Sequence, residues 1–417
     1  MKVAIIGSGG REHSILKKIK QNPKISELFV IPGNVGMREE ATCVPLEATD
    51  KAKVVEFAKE KGLDFVIVSP DNPLVLGMVD ALEEAGIACF GPRASAAMIE
   101  GSKVFAKEFM QRHSIPTAKY WVFDCPKEAK EFLSKSSFPL VIKADGLALG
   151  KGVIIAQNLT EAIEAIEAVM QDQIFGESGK QVVIEEFLEG FEASILAFTD
   201  GKTLVPMISS MDYKKALDGD QGLNTGGMGC IAPNPYYTQE IEEECFRTIF
   251  LPTIRGLEKE GRKFKGCLYF GLMITADGPK VIEYNCRFGD PETQTILPLL
   301  ESDLFEIMLS IANDSLSNKD VRFKALSSCC VVMASEGYPK DFQKGNPITY
   351  PKDLDLCFAG VKAEGEKLVN SGGRVLSLTS VAPTLAEARE QTYAKLSSVS
   401  FKNSYYRRDI GELRKTK

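Results

Sequence analysis

Histidine is almost missing from this chain: His13 and His113 are the only two in 417 residues, beside a single tryptophan. Histidine-built metal sites and Ser-His-Asp schemes therefore have little material. The ten cysteines include no Cys-x-x-Cys pair, and Cys329 and Cys330 are adjacent, which suits neither a zinc ribbon nor a redox dithiol. They read as buried thiols of a reducing compartment. Positive charge is in deficit too. A net charge of −7 and a pI near 5.3 argue against a nucleic-acid-binding face, although a small anionic substrate needs only a few local cations. No segment approaches the ~20 apolar residues of a membrane span, and the opening strand pattern, Lys2–Ile6, is too short for a signal peptide. By elimination the expected location is cytoplasmic, with neither nucleic acid nor membrane as partner.

With 44% hydrophobic and 26% charged residues the composition is that of a folded α/β protein, and the length predicts two to four modules. Up to about residue 100, strand patterns (Val3–Ile6, Leu28–Ile31, Phe65–Val68, Ile87–Phe90) alternate with helical ones (from about His13, Lys51–Lys61, Val75–Ala85). Such alternation predicts a doubly wound parallel sheet. Gly91-Pro92-Arg93 breaks the pattern, and Ala94–Arg112 reads as one long helix into a second module. That module carries strands near Tyr120–Phe123, Leu140–Lys143, Val153–Ala156, Val182–Phe187 and Ala193–Phe198 and a helix over Leu159–Gln171. Two Gly-rich charged loops, Asp145–Gly152 and Asp218–Gly229, read as lids. From about Ala325 a β-rich segment follows, with a helix at Leu385–Leu396 and a basic tail, Arg407-Arg408 then Arg414, Lys415 and Lys417, read as solvated.

The densest chemistry lies in Val281–Glu292. In an extended strand Glu283 and Asn285 project to one side and Ile282 and Tyr284 to the other. A carboxylate beside an amide oxygen suits Mg²⁺, which commonly sits between protein carboxylates and nucleotide phosphates; a polar strand end capped by a Gly-Asp-Pro turn is the plain alternative. Gly7-Ser8-Gly9-Gly10-Arg11-Glu12-His13 follows the first strand and opens a helix, so its N–H groups and the helix dipole can hold an anion. Glu12 stands where a dinucleotide fingerprint has its third glycine, and Glu47 lies too far along for the ribose acid, which favours a phosphate-bearing substrate over NAD.

Lys143 ends an apolar strand and requires a partner, for which a nucleotide phosphate is suited. Asp145–Gly152 adds glycines and Lys151, although Gly150-Lys151-Gly152 lacks the Ser or Thr of a Walker A loop. Val182–Leu188 reads either as a hinge strand offering backbone groups to adenine, with a carboxylate for ribose, or as acids in solvent at a strand end. Asp212-Tyr213-Lys214-Lys215 supplies cations, and Asn224-Thr225-Gly226-Gly227-Met228-Gly229 a run of amides able to form an anion nest. Arg287 adds a fork for carboxylate or phosphate.

In order and spacing these pieces resemble the ATP-grasp ligases and, over nearly the whole chain, the phosphoribosylamine–glycine ligase family. The carriers are Gly7–His13, Pro32-Gly33-Asn34, Glu100–Lys103, Lys143–Ala148, Asn224–Gly229, Arg287–Glu292, Gly372–Val375 and Arg407–Gly411. The resemblance implies an N-terminal Rossmann-like (pre-ATP-grasp) domain at 1–101 and a central α+β ATP-grasp domain at 102–324, with a flexible lid at about 120–190. A small β-rich domain at 325–417 completes the chain. It implies ATP and Mg²⁺, with Mn²⁺ as a substitute, and glycine and 5-phosphoribosylamine as substrates of a monomer. By it Lys103 and Lys143 bind ATP phosphates, Glu185 lies at the adenine amino group, Leu188 at the adenine edge and Glu192 at the ribose, with Lys151 and Glu186 as further ATP-binding candidates. Glu283 and Asn285 hold the metal. Gly9, Gly10, Arg11, Glu12, Asp71, Asn224, Thr225 and Gly226 contact substrates, while Arg287, Asp290, Asp212 and Lys214 attend the reacting groups. The implied reaction phosphorylates the glycine carboxylate, and the amine of phosphoribosylamine attacks the acyl phosphate. This agrees with an inventory rich in phosphate positioners but without a nucleophile–base pair.

Three positions depart from the family pattern: Ser69-Pro70-Asp71 for Gly-Pro-Glu, Tyr213 for His, and Cys357–Val361 for Phe-His-Ala-Gly-Thr. The end at Lys417 leads us to expect none of the further purine-pathway domains fused to some relatives. Three rivals remain open at this point: another carboxylate–amine ligase, a nicotinamide-dependent oxidoreductase on the N-terminal sheet, and a nucleotide-binding regulator without turnover.

Overall fold

The structure is a computed structural model describing residues 1–147 and 152–413. Strands β1 (Lys2–Gly7), β2 (Glu27–Pro32), β3 (Thr42–Cys43), β4 (Phe65–Val68) and β5 (Ala88–Phe90) form a parallel sheet in the order β3-β2-β1-β4-β5. Val3–Ile6 and Phe65–Val68 are buried throughout, as unbroken apolar runs require in a sheet covered on both faces. Two expected helices are split. Val75–Ala85 becomes Asp71–Val75 and Met78–Glu84, and Ala94–Arg112 becomes Ala94–Gly101 and Lys103–Arg112. The second break is a cap: the Ser102 hydroxyl accepts from Phe105 N–H at 3.0 Å, and Asp145, from a remote loop, accepts from Val104 N–H at 2.8 Å.

Strands β6 (Tyr120–Phe123), β7 (Leu140–Ala144), β8 (Val153–Ala156) and β9 (Val182–Glu186) make a separate antiparallel sheet, β6-β9-β7-β8. Its own core joins Ile142 and Ile184 to Leu133 and Ile166 of the covering helices Pro126–Leu133 and Leu159–Ile166. Next come β10 (Phe191–Thr199), β11 (Leu204–Pro206), β12 (Met211–Asp212), the hairpin β13 (Lys215–Leu217) and β14 (Gln221–Asn224), β15 (Gly229–Ala232), β16 (Gly266–Thr275) and β17 (Gly278–Asn285). The central antiparallel sheet is β11-β10-β16-β17. Strand β16, which the periodicity misses, is buried from Gly266 to Leu272 and so shows no alternation. Ala193 and Ile195 share one core with Ala4 and Ile6, and Leu196 and Phe198 another with Val3 and Ile5, which ties this sheet to the N-terminal one.

The last strands are β18 (Ser327–Ser335), β19 (Leu356–Phe358), the hairpin β20 (Val361–Glu364) and β21 (Lys367–Asn370), β22 (Arg374–Ala382) and β23 (Ser404–Tyr405). Their sheet runs β12-β15-β18-β22-β19, so residues 211–232 contribute two strands to it across the expected division at 324/325. At the seam with the N-terminal domain, Phe358 N–H donates to His13 Nδ1 at 2.9 Å while the two rings stack at 5.9 Å. An acceptor at Nδ1 requires the neutral ring, and burial pushes its pKa down.

The basic tail is a correction. Arg407 is 1% exposed. It donates from Nε and Nη2 to Asp409 at 2.8 and 2.7 Å, sits 2.9 Å from Asp220, and lies 5.2 Å over the Tyr213 ring. Buried guanidinium needs fixed acids, and Asp220 is a partner only the fold supplies. Arg408 is exposed, and Arg414, Lys415 and Lys417 lie outside the described residues. Although burial opposes it, Arg407 holds the Asp409 carboxyl down at about 2. Arg407→Met is therefore expected to lower unfolding stability by about 3 kcal/mol in urea melts at neutral pH. Because the Asp409 pKa is depressed, that contribution is present above its ordinary value of 3.8 and fades as the pH falls towards 2.

Candidate active site

Strand β17 carries the expected metal pair, but not on a regular ladder. Val281 lies opposite Leu272, Glu283 opposite Gly271 and Asn285 opposite Tyr269, so Ile282 is an extra, bulged residue. The bulge corrects the simple alternation: Val281 and Tyr284 enter the core at 0% and 3% exposure, whereas Ile282 does not. Glu283 and Asn285 still share the open side. Ile282 offers its C=O to Lys143 Nζ at 3.0 Å, which draws the β6-β9-β7-β8 sheet onto this strand.

Behind Lys143 lies a buried clamp. The Glu185 carboxylate is 2.9 Å from Lys143 Nζ and 3.0 Å from Lys107 Nζ, all three nearly inaccessible. Burial lowers the Lys107 pKa to about 8 against the pull of Glu185. Lys103, at the first turn of its helix, donates to Gly146 O at 2.9 Å and has no salt bridge among the described residues. Burial pushes its pKa down, opposed chiefly by Glu283. An under-neutralised lysine in such a cleft is suited to an anion. Lys151 lies outside the described residues.

On the other side, Lys214 Nζ is 2.9 Å from Glu192 and 3.7 Å from Glu283. Burial works against the Lys214 charge, but Glu192 and Glu283 prevail and raise its pKa. Glu283 is held below the ordinary carboxylate range despite burial, by Lys214, Lys143, Lys103 and Arg287. Asp212 differs. Burial and the nearby Glu292 charge push its pKa well up, and its Oδ1 is buried with no hydrogen-bond partner among the described residues.

The expected anion nest is absent. In Asn224–Gly229 the Thr225 N–H donates to Lys214 O, Gly226 N–H to the Tyr338 hydroxyl at 3.0 Å, Gly227 N–H to Thr225 Oγ1 at 3.0 Å and Met228 N–H to Tyr213 O. The fold has spent these donors on holding the turn. Asn224 itself lies on β14, opposite Lys215.

Arg287 bridges domains: Nη2 is 3.0 Å from Glu100 and 3.7 Å from Asp71, and its buried Nε has no partner among the described residues. Glu100 also accepts from Cys286 N–H at 2.6 Å, which fixes the end of β17. Asp290 accepts from Arg11 N–H at 3.3 Å and Gln294 Nε2 at 2.8 Å and pairs with Arg374 at 3.3 Å. Glu12 is committed internally, accepting from Gly9 N–H and the Ser69 hydroxyl at 2.6 Å each and from Arg11 Nε at 2.5 Å. It closes the glycine turn with three donors on its two oxygens. Glu186 is likewise held, by Lys119 N–H at 2.9 Å, and Leu188 is half-buried.

The Asn285 side chain has no hydrogen-bond partner among the described residues, and Glu283 has only the 3.7 Å approach of Lys214. Both oxygens are thus available, and the pair fits a hard cation. No three His, Cys, Asp or Glu side chains converge as a metal site among the described residues, so nucleotide phosphates would have to complete the shell. The chain matches Phosphoribosylglycinamide synthetase N domain over residues 1–100, its ATP-grasp (A) domain over 101–293 and its C domain over 328–413.

The chain belongs to the phosphoribosylglycinamide synthetase family.

It is 47% identical over 418 residues to a phosphoribosylamine–glycine ligase of Listeria monocytogenes, covering 99% of each chain. The crystal structure of the Thermotoga maritima phosphoribosylamine–glycine ligase superposes with a TM-score of 0.86 at 37% identity, covering 98% of this chain and 100% of that one. The fold alone is shared with a Hydrogenobacter thermophilus biotin carboxylase domain crystallised with MgADP, at 17% identity and a TM-score of 0.76 over 97% and 91% of the two chains. Within this synthetase fold the departures acquire partners. Ser69 holds Glu12, Asp71 faces Arg287, Phe358 stacks on His13, and the Tyr213 hydroxyl accepts from Gly411 N–H at 3.1 Å. Two site residues escaped the sequence reading: Lys107, one helical turn from Lys103 and so on its face, and Arg374, visible only as part of a Gly-Gly-Arg match.

Proposed function

We propose that this chain joins glycine to 5-phosphoribosylamine with ATP, giving glycinamide ribonucleotide, ADP and phosphate, the second step of de novo purine biosynthesis. The observation that carries the reading is the convergence of Glu283 and Asn285 with Lys103, Lys143, Lys214 and Arg287 on one cleft between the lid and central sheets. Lys103 and Lys143 take the phosphates, and Glu192 the ribose. Since Lys107 and Lys143 occupy the Glu185 carboxylate, β9 offers adenine only backbone groups, with Leu188 against the ring. Glu283 and Asn285 hold Mg²⁺, which when bound neutralises phosphate charge; Mn²⁺ serves too, having the same oxygen preference.

A glycine carboxylate oxygen attacks the γ-phosphorus and ADP leaves. The amine nitrogen then attacks the acyl carbon, phosphate leaves, and the amine loses a proton. Lys214 and Arg287 stabilise the transferring group, and Asp212 and Asp290 orient the amines. The glycine turn, with Gly10 and Arg11, meets the phosphoribosyl phosphate beside Asp71, while Thr225 and Gly226 wall the substrate side. Catalysis is positional and electrostatic. We take the active form to be a monomer, and ten free cysteines suit the cytoplasm; no helix among the described residues is long and apolar enough to cross a membrane.

The test is ADP release with ATP, glycine and freshly generated phosphoribosylamine, which should require both co-substrates and fail with other amino acids. ADP release indifferent to glycine would reject the function.

A further inference from the structure

We infer that Arg374, from the C-terminal domain, is a positioning residue that locks the Thr225–Gly229 turn and the Arg287–Glu292 turn together, so that the third domain completes the active site. The inference rests on the ligase reading above. Arg374 starts β22, outside the cleft-forming sheets, yet its Nη1 donates to Gly226 O at 2.6 Å, to Asp290 O at 2.6 Å and, longer, to Gly227 O at 3.4 Å, while pairing with Asp290 Oδ1 at 3.3 Å. The two turns are in contact beneath it. A Cβ on Gly227 would fall 2.5 Å from Pro291 Cδ and 2.6 Å from Asp212 Oδ1, and one on Gly226 would fall 3.0 Å from Arg374 Cζ. Glycine is therefore required for the turns to close on each other and on the guanidinium.

Neighbouring residues of the same domain act in the same sense: the Tyr338 hydroxyl accepts from Gly226 N–H at 3.0 Å, and Thr379 Oγ1 donates to Gln294 O at 3.0 Å. The residues so fixed, Asp212, Asp290 and the carbonyl-lined turn, are those that face the reacting groups. The rigid guanidinium plane fixes the point at which Nη1 meets these oxygens, whereas a lysine ammonium on its flexible stem is not held there. Arg374 need not touch substrate: a displacement of about 1 Å at a catalytic group costs on the order of 100-fold in rate.

The test compares Arg374→Ala and Arg374→Lys with the wild-type chain in the three-substrate assay, with circular dichroism and thermal melts as folding controls. Absence of glycine-dependent turnover in the wild-type chain overturns the ligase reading and this inference with it; the outcomes below concern the inference alone. Arg374→Ala is expected to lower kcat on the order of 100-fold while the ATP KM stays within about threefold. It is also expected to move the acid limb of the kcat–pH profile upward. The groups facing Asp290 are Arg374, Arg11 and Gln294, and against burial Arg374 is the largest influence holding its carboxyl down. Arg374→Lys keeps the charge, so it should leave the acid limb in place yet still lose kcat about tenfold or more. Near-wild-type kcat in either folded variant, an ATP KM that rises while kcat holds, or an unmoved acid limb in Arg374→Ala overturns the proposal. If Arg374→Ala does not fold, the kcat of Arg374→Lys decides alone.

Discussion

Glu283→Gln and Asn285→Ala each lower Mg²⁺-dependent ADP release by about 10³-fold while the melting profile stays that of the wild type. The size follows from how little else holds the cation. The two oxygens sit side by side beyond the Ile282 bulge, and no three His, Cys, Asp or Glu side chains converge as a metal site among the described residues. Glu283→Gln removes the only carboxylate of the pair. It also removes the charge against which Lys214 is held at 3.7 Å, so Lys214 turns wholly to Glu192. Folding is spared because the anchors of the strand are Val281, Tyr284 and the Glu100–Cys286 bond, none of which the substitutions touch. Turnover rates against Mg²⁺ concentration, with calorimetric nucleotide binding in parallel, check the expectation. Rates within about threefold of wild type in both variants would remove the metal assignment.

Arg287→Met is expected to cost about 10³-fold in turnover and, unlike the metal pair, to destabilise the fold by about 3 kcal/mol. Arg287 is the cation between Glu100 and Asp71 at the junction of the N-terminal and central domains. The stability loss falls at the low end for a broken buried pair because burial already pushes the Glu100 carboxyl above its ordinary range. Without Arg287 that carboxyl goes higher and takes a proton. A raised carboxyl contributes stability below its unfolded value of 4.5 and loses it as the pH climbs through the folded value. The variant's deficit in urea melts should therefore be smaller at pH 5 than at pH 8. An equal deficit at both would show that Glu100 remains ionised in the variant.

The candidate metal pair and the cations stand out in the sequence because their signal is local. Glu283 and Asn285 lie two apart on a strand, Arg287 follows directly, and Lys143 stands out at the end of an apolar run. The parallel N-terminal sheet was legible for a similar reason, as unbroken apolar strands spaced by helical segments. The misreadings have a common origin in contacts between distant segments. Arg407 looked like a solvated terminus until Asp220 and Asp409 closed on it. The amides of Thr225–Met228 looked free until the Tyr338 and Thr225 hydroxyls and the carbonyls of Tyr213 and Lys214 took them.

The amino-acid order by itself determined which chemistry is available: oxygen ligands for a hard cation, lysines and arginines for phosphate, and no evident nucleophile–base pair. Tertiary structure alone decided which of these groups are free to act. A buried donor or acceptor is satisfied by whatever the fold brings within about 3 Å, and that choice is made between residues hundreds of positions apart. Arg374 is the clearest case, since its role exists only where two turns and a strand from another domain meet.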